Sequence, residues 1–126
     1  MQATLHQQAN LLSLPEHEVN ALCRGWLRKD PLFLDTETTG LDENAEIVEL
    51  AVVNCEGETL INTLIKPSVP IPATVTALHG IDDAMVADAP DWHDVYQEVC
   101  SLLAGRYVFA YNAKFDARML EQTCGI

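Results

Sequence analysis

Pro31-Leu32-Phe33-Leu34-Asp35-Thr36-Glu37-Thr38-Thr39-Gly40-Leu41 is the stretch on which the reading of this chain turns. Leu32, Phe33 and Leu34 form a short apolar run after a proline, the pattern of a strand buried on both faces. Two carboxylates, a threonine cluster and a glycine follow at once. Side chains alternate along a strand, so Asp35 and Glu37 leave the same face one pleat apart. Like charges held that close repel unless a proton or a cation lies between them. Hard oxygen donors of this kind suit Mg²⁺ or Mn²⁺. A solvated strand end can show the same pair, but the apolar strand before it and the Gly40 turn after it favour a site.

Upstream, Ser13-Leu14-Pro15-Glu16 has the form of a capping box, and it predicts a helix running to about Arg28. Val19, Leu22, Cys23, Trp26 and Leu27 make one apolar stripe on it, with Arg24, Arg28 and Lys29 near its end. The plain reading is a cover helix packed on the sheet; the alternative is a basic guide for a nucleic-acid strand. Residues 1–12 are Gln-, Ala- and Leu-rich, and 1–30 together form an N-terminal helical extension.

Downstream, strands are predicted at about 32–37, 46–53 and 58–65, the last two joined by a hairpin turn at Asn54-Cys55-Glu56-Gly57. Glu49 is the odd residue in its apolar run, expected to be hydrogen-bonded at the sheet edge or to support the metal site. Three prolines make 66–72 an extended linker. Short helices follow at 73–78, stopped by His79-Gly80, and at 82–87. Asp91 starts a helix to Leu103, and 106–111 reads as a fourth strand. Asn112 is the expected N-cap of a last helix, 113 to about 123.

At 126 residues one domain is expected, large enough for a real core. The net charge of −12, from 7 basic and 19 acidic residues, argues against broad coating of nucleic acid. Gripping one strand end through metal ions remains open to such a chain. No apolar run is long enough to span a bilayer, and Met1 to Gln8 lack a secretory signal, so a cytoplasmic location is expected. Cys23, Cys55, Cys100 and Cys124 are scattered and read as free thiols in a reducing compartment rather than zinc ligands. His6, His17 and His93 read as surface side chains.

Asp35-Thr36-Glu37-Thr38-Thr39-Gly40-Leu41, Leu78-His79-Gly80-Ile81 and Asn112-Ala113-Lys114-Phe115-Asp116, in that order, resemble the first motifs of the DEDD 3′–5′ exonucleases. They are most similar to the proofreading epsilon branch of bacterial DNA polymerase III. The resemblance covers about 31–124, so 31–126 is the exonuclease domain. It implies an α/β, ribonuclease-H-like mixed sheet: three antiparallel strands plus a parallel fourth, flanked by helices. It implies that Asp116 joins Asp35 and Glu37 around two divalent cations, Mg²⁺ or Mn²⁺, about 3.5–4 Å apart. Thr38, Leu41, His79 and Asn112 match positions that receive the terminal nucleotide, with His79 reading equally as a structural histidine at a helix end, and Phe115 reads as core. The implied reaction releases nucleoside 5′-monophosphates from a DNA 3′ end, with a polymerase as a further partner.

The family pattern continues with a Tyr or His and then a fourth Asp on a later helix. After Asp116 the sole acid is Glu121, about 500° further round the helix. Its side chain points away, so the fourth ligand, the general base and a C-terminal strand and helix are missing from these residues. The chain is a piece of a longer enzyme, a fold completed by a second chain, or a reduced binding module. The first two predict an exposed apolar flank beside the fourth strand, hence self-association, and residues 1–126 alone are expected to be weak or inactive. Rival functions are an exoribonuclease of the RNase T or oligoribonuclease kind and a non-catalytic nucleic-acid or partner-binding module.

Overall fold

The computed structural model describes residues 13–125; the expectation for 1–12 lies outside them. The elements run α1 (Glu16–Leu27), β1 (Leu32–Thr38), β2 (Ile47–Val53), β3 (Thr59–Leu64), α2 (Ala73–His79), α3 (Asp83–Val86), α4 (Trp92–Leu103), β4 (Val108–Phe109) and α5 (Ala113–Thr123). The sheet order is β3-β2-β1-β4. β1 and β2 pair antiparallel, as do β2 and β3, while β4 runs parallel to β1. This is the mixed, ribonuclease-H-like sheet that the sequence implied.

The pleat of β1 sorts its residues. Leu32, Leu34, Thr36 and Thr38 are buried, whereas Phe33 and Asp35 are exposed and Glu37 is half-buried. The buried side packs Leu32, Leu34, Leu50 and Val52 against Trp92, Val95 and Val99 of α4 and Met119 of α5. A smaller cluster of Val48, Ile71, Ile81 and Val86 holds α2, α3 and the proline linker to the sheet. A register shift between Glu37 and Thr38 sends Ile47 and Val48 into different clusters.

Several expectations need correction. The N-cap of α1 is Pro15 rather than Ser13, and the proline has no side chain to cap with. Proline reaches that position first, and it has fixed the helical entry without a cap. As a cover for the sheet α1 is partial: Val19, Cys23 and Trp26 of its stripe are half-buried, with Trp26 against Phe109 of β4, while Leu22 and Leu27 are exposed. The fourth strand shrinks from six residues to two. Arg106 is turned aside to Asp30, donating to its carbonyl at 2.7 Å and its carboxylate at 2.9 Å. Glu49 lies on β2, an inner strand rather than the sheet edge. The glycine stop held: Gly80 takes φ 82°, and its N–H donates to the Thr76 carbonyl. Asp91 and Asp94 cap one another reciprocally at the start of α4. The four cysteines are free thiols. Among the described residues no helix is long and apolar enough to cross a membrane.

Candidate active site

The carboxyl end of β1 is where the chemistry-bearing residues meet. Asp35 and Glu37 stand on the open face of the strand; Asp116 comes from the first turn of α5, behind it. The link is Thr36, the residue between the two acids. Its hydroxyl donates to Asp116 Oδ1 at 2.8 Å, with both groups buried. The alternation that exposes Asp35 and Glu37 must turn Thr36 inward, so one strand presents two acids and steadies a third. Phe115 packs against the core beside Asp116, as expected.

Electrostatics couple the set. Burial pushes the Glu37 carboxyl above its ordinary range, and Asp35, Glu49 and Asp116 push the same way. A charged His79 would oppose them, but the hydrogen bonds of the ring specify its neutral form. The Ile81 N–H can only donate, so Nδ1 accepts at 3.1 Å and Nε2 carries the proton towards the Thr38 carbonyl at 3.0 Å. Burial also raises Asp116; the Thr36 hydroxyl lowers it, Asp35 raises it, and backbone amides of Asp116 and Thr36 lower it. Glu49 faces Glu37 directly across the β1–β2 pair. Sequence reasoning gave Glu49 a supporting role at most, and missed that alternation aligns it with Glu37.

These donors fit a hard divalent cation. All are carboxylates, and Asp35 raises the proton affinity of both Glu37 and Asp116, the mark of uncompensated negative charge. They stand apart rather than closed around one point: among the described residues no three His, Cys, Asp or Glu side chains form a metal-holding group. Glu121 is exposed on α5 and supplies no fourth ligand to that set.

The loop over the site is pinned on three sides. Thr39 and Glu46 exchange two hydrogen bonds, from Thr39 N–H to the Glu46 carbonyl at 2.9 Å and from Glu46 N–H to the Thr39 hydroxyl at 3.0 Å. The Thr38 hydroxyl donates to the Gly40 carbonyl at 2.7 Å. The Glu46 carboxylate accepts from the Ser68 N–H and hydroxyl. From behind, α5 reaches in: Arg118 donates to the Leu41 carbonyl, Gln122 to those of Asp42 and Ala45, and Thr123 accepts from the Ile47 N–H. None of these long-range contacts was legible in a motif.

Of the residues expected to receive a nucleotide, Leu41 is largely exposed and free to meet a base. Thr38 is buried and occupied with the Gly40 carbonyl. His79 is half-buried beneath the loop, tied to Thr38. Asn112 is exposed, but its side chain does not cap α5; its carbonyl instead accepts from the Phe115 and Asp116 N–H groups.

A family model described as Exonuclease (RNase T) matches residues 32–124. An uncharacterized exonuclease of Escherichia phage 186 is 44% identical over 112 residues, covering 89% of this chain and 58% of the phage protein. The DNA polymerase III epsilon subunit of Pasteurella multocida is 31% identical over 100 residues, covering 71% of this chain and 40% of the subunit. Exonuclease X, solved with a 5′-overhanging duplex DNA, superposes with TM-score 0.59 at 37% identity, covering 71% of this chain and 52% of that one. Escherichia coli exonuclease I, solved with a dA16 oligonucleotide, shares the fold at TM-score 0.63 and 17% identity, covering 73% and 23%. The chain thus spans little more than half the length of the phage relative and of exonuclease X.

Proposed function

The chain belongs to the exonuclease (RNase T) family of 3′–5′ exonucleases, and from that premise we propose that it cleaves terminal phosphodiesters of DNA from the 3′ end, releasing nucleoside 5′-monophosphates. The observation that carries the reading is the buried Thr36–Asp116 hydrogen bond, which ties the third acid to the strand bearing Asp35 and Glu37.

In this reading Asp35, Glu37 and Asp116 hold two Mg²⁺ or Mn²⁺ ions through their carboxylate oxygens. When bound, the ions supply an activated water and stabilise charge on the leaving 3′-oxygen. Thr36 orients Asp116 and, by donating to it, opposes the upward shift that burial gives its carboxyl. The neutral His79 ring holds the Thr38 carbonyl, which fixes the last residue of β1 under the loop. Leu41 and the loop backbone receive the terminal base, with Thr38 and Asn112 beside them. The likeness to exonuclease X, solved with duplex DNA, supports DNA over RNA as the substrate. The likeness to an epsilon subunit supports a polymerase partner. Self-association through β4 gains no support, since an edge strand of two residues is a poor template for strand addition.

The described residues supply these three ligands and, among them, no general base stands beside the set, so hydrolysis by these residues alone is expected to be weak or undetectable. The test is a 5′-labelled DNA oligonucleotide and its RNA counterpart, incubated with Mg²⁺ or Mn²⁺, beside calorimetric Mn²⁺ titration. Mn²⁺ uptake lost in Asp35→Ala supports the reading. No uptake by the unaltered chain would overturn it and leave a binding module. Faster cleavage of RNA would transfer the same chemistry to an exoribonuclease.

A further inference from the structure

The open face of the sheet carries more than acids. Phe33 shares that face of β1 with Asp35, roughly 7 Å away along the strand. The Phe33 ring is stacked with Phe109 of β4 at 5.9 Å, and Phe109 meets Trp26 of α1 at 5.8 Å. The three rings form a ledge leading from the acidic site to the N-terminal helix. Phe33 is 39% exposed, and Phe109 and Trp26 are half-buried, so the ledge is partly open. Beside it Lys29 Nζ lies 4.4 Å from the centre of the Tyr107 ring, itself exposed.

Charge is concentrated at the same end. α1 has Glu16 and Glu18 in its first turn, while Arg24 closes it and Arg28 and Lys29 follow. Arg24, Arg28 and Lys29 form no ion pair among the described residues, whereas Arg106 is held by Asp30. Three unneutralised cations at one place are unusual in a chain of net charge −12. The apolar stripe of α1 is only partly covered: Val19, Cys23 and Trp26 are half-buried, and Leu22 and Leu27 are exposed.

We propose that the Trp26–Phe109–Phe33 ledge, flanked by Arg24, Arg28 and Lys29, is a track for single-stranded polynucleotide upstream of the nucleotide being removed. Bases stack on the rings and phosphates meet the cations, the pairing of contacts that holds single strands without reading sequence. The inference rests on the exonuclease reading, because the strand tracked is the one whose 3′ end lies at Asp35. α1 precedes the residues matched by the family model, whereas Phe33 and Phe109 lie within them, so the track joins the N-terminal segment to the sheet. Stacking and phosphate contacts do not see the 2′-hydroxyl, so DNA and RNA single strands are held alike, and duplex is not.

The chain has two tryptophans, so Trp92→Phe leaves Trp26 as the sole indole reporter. Phosphorothioate oligonucleotides of two, six and twelve nucleotides, as DNA, RNA and blunt duplex, are titrated in Mg²⁺ over a range of salt. Trp26 fluorescence is expected to be quenched by six- and twelve-nucleotide single strands. In the native background, Trp26→Ala is expected to weaken six-nucleotide binding by about 5- to 100-fold, with Trp26→Phe restoring most of it. Arg24→Gln and Arg28→Gln each lower the salt slope by about 0.7. The dinucleotide, too short to reach Trp26, is held equally by all four variants. Circular dichroism checks that Trp26→Ala folds; if it does not, quenching and the arginine variants decide.

Unchanged six-nucleotide affinity and salt slope in these variants, with Asp35→Ala still abolishing metal uptake, would overturn the track and leave the exonuclease reading standing. Tighter binding of blunt duplex than of single strand would also overturn it. No binding of any oligonucleotide and no metal uptake by the native chain would remove both.

Discussion

The two faces of β1 do opposite work with alternate residues of one strand. Leu32 and Leu34 on one face lie in the main core, against α4 and α5. Phe33, Asp35 and Glu37 on the other face are exposed or half-buried, and the two carboxylates form no ion pair among the described residues. Stability is thus gathered on one side and reactivity on the other, and Thr36 is the point where they touch. The contrast teaches that the site can be destabilised electrostatically without loosening the core, and that the reverse does not hold.

The largest break in that contrast comes from the core side. Met119→Ala removes a side chain that is fully buried against the sheet. It should cost about 2–5 kcal/mol in chemical denaturation. Because Met119 is on the helix that carries Asp116, Mn²⁺ affinity should fall with it. Thr36→Val strikes the junction, leaving a buried carboxylate without its hydroxyl donor. A loss of about 1–3 kcal/mol is expected, with the Asp116 carboxyl titrating higher by NMR.

How much of this was readable follows the same division. The motif Asp35-Thr36-Glu37 and the period-2 alternation gave the strand and put both acids on one face, because those signals are local. The apolar run Leu32-Phe33-Leu34 read as buried on both faces, but Phe33 is exposed because, among the described residues, no element packs over that face of β1 there. The fold class came from the order of three motifs. What escaped was set by distant partners. The Thr36–Asp116 bond joins residues 80 apart in the chain, and nothing in either segment announces the other. The fourth strand read as six residues because its apolar pattern is six long; only two pair with β1, since Arg106 turns to Asp30. Glu49 looked like an edge residue because its inner position depends on β3 and β1 both pairing with β2.

A smaller, sharper test is pH. Glu37 and Asp116 both have carboxyl groups raised by burial. The folded chain therefore holds protons more tightly than the unfolded one at these two places. Their contribution is favourable below the ordinary carboxylate range and is lost as pH rises through the raised values. Without metal, the Tm should fall from pH 5 to pH 7.5 by more than in the Glu37→Gln, Asp116→Asn double variant. Mg²⁺ should narrow the difference for the native chain alone. A Tm slope equal in the two proteins would break the link between burial and charge.

The smallest expected effect on folding is that of Asp35→Asn, on the exposed face. Relieving its repulsion on Glu37 and Asp116 should leave the metal-free chain slightly more stable by thermal melting, at the edge of detection. Calorimetry should show that the same variant takes up little or no Mn²⁺.

The grip of α5 on the β1–β2 loop has an evolutionary reach. Eleven residues of helix, about 16 Å of stiff rod, carry an acid at one end and hold three loop carbonyls through Arg118 and Gln122 further along. Any insertion or deletion between Leu41 and Ala45 would tug on the rod that aims Asp116. Descendants of this chain should therefore tolerate swapped letters in that loop far more readily than a changed number of them.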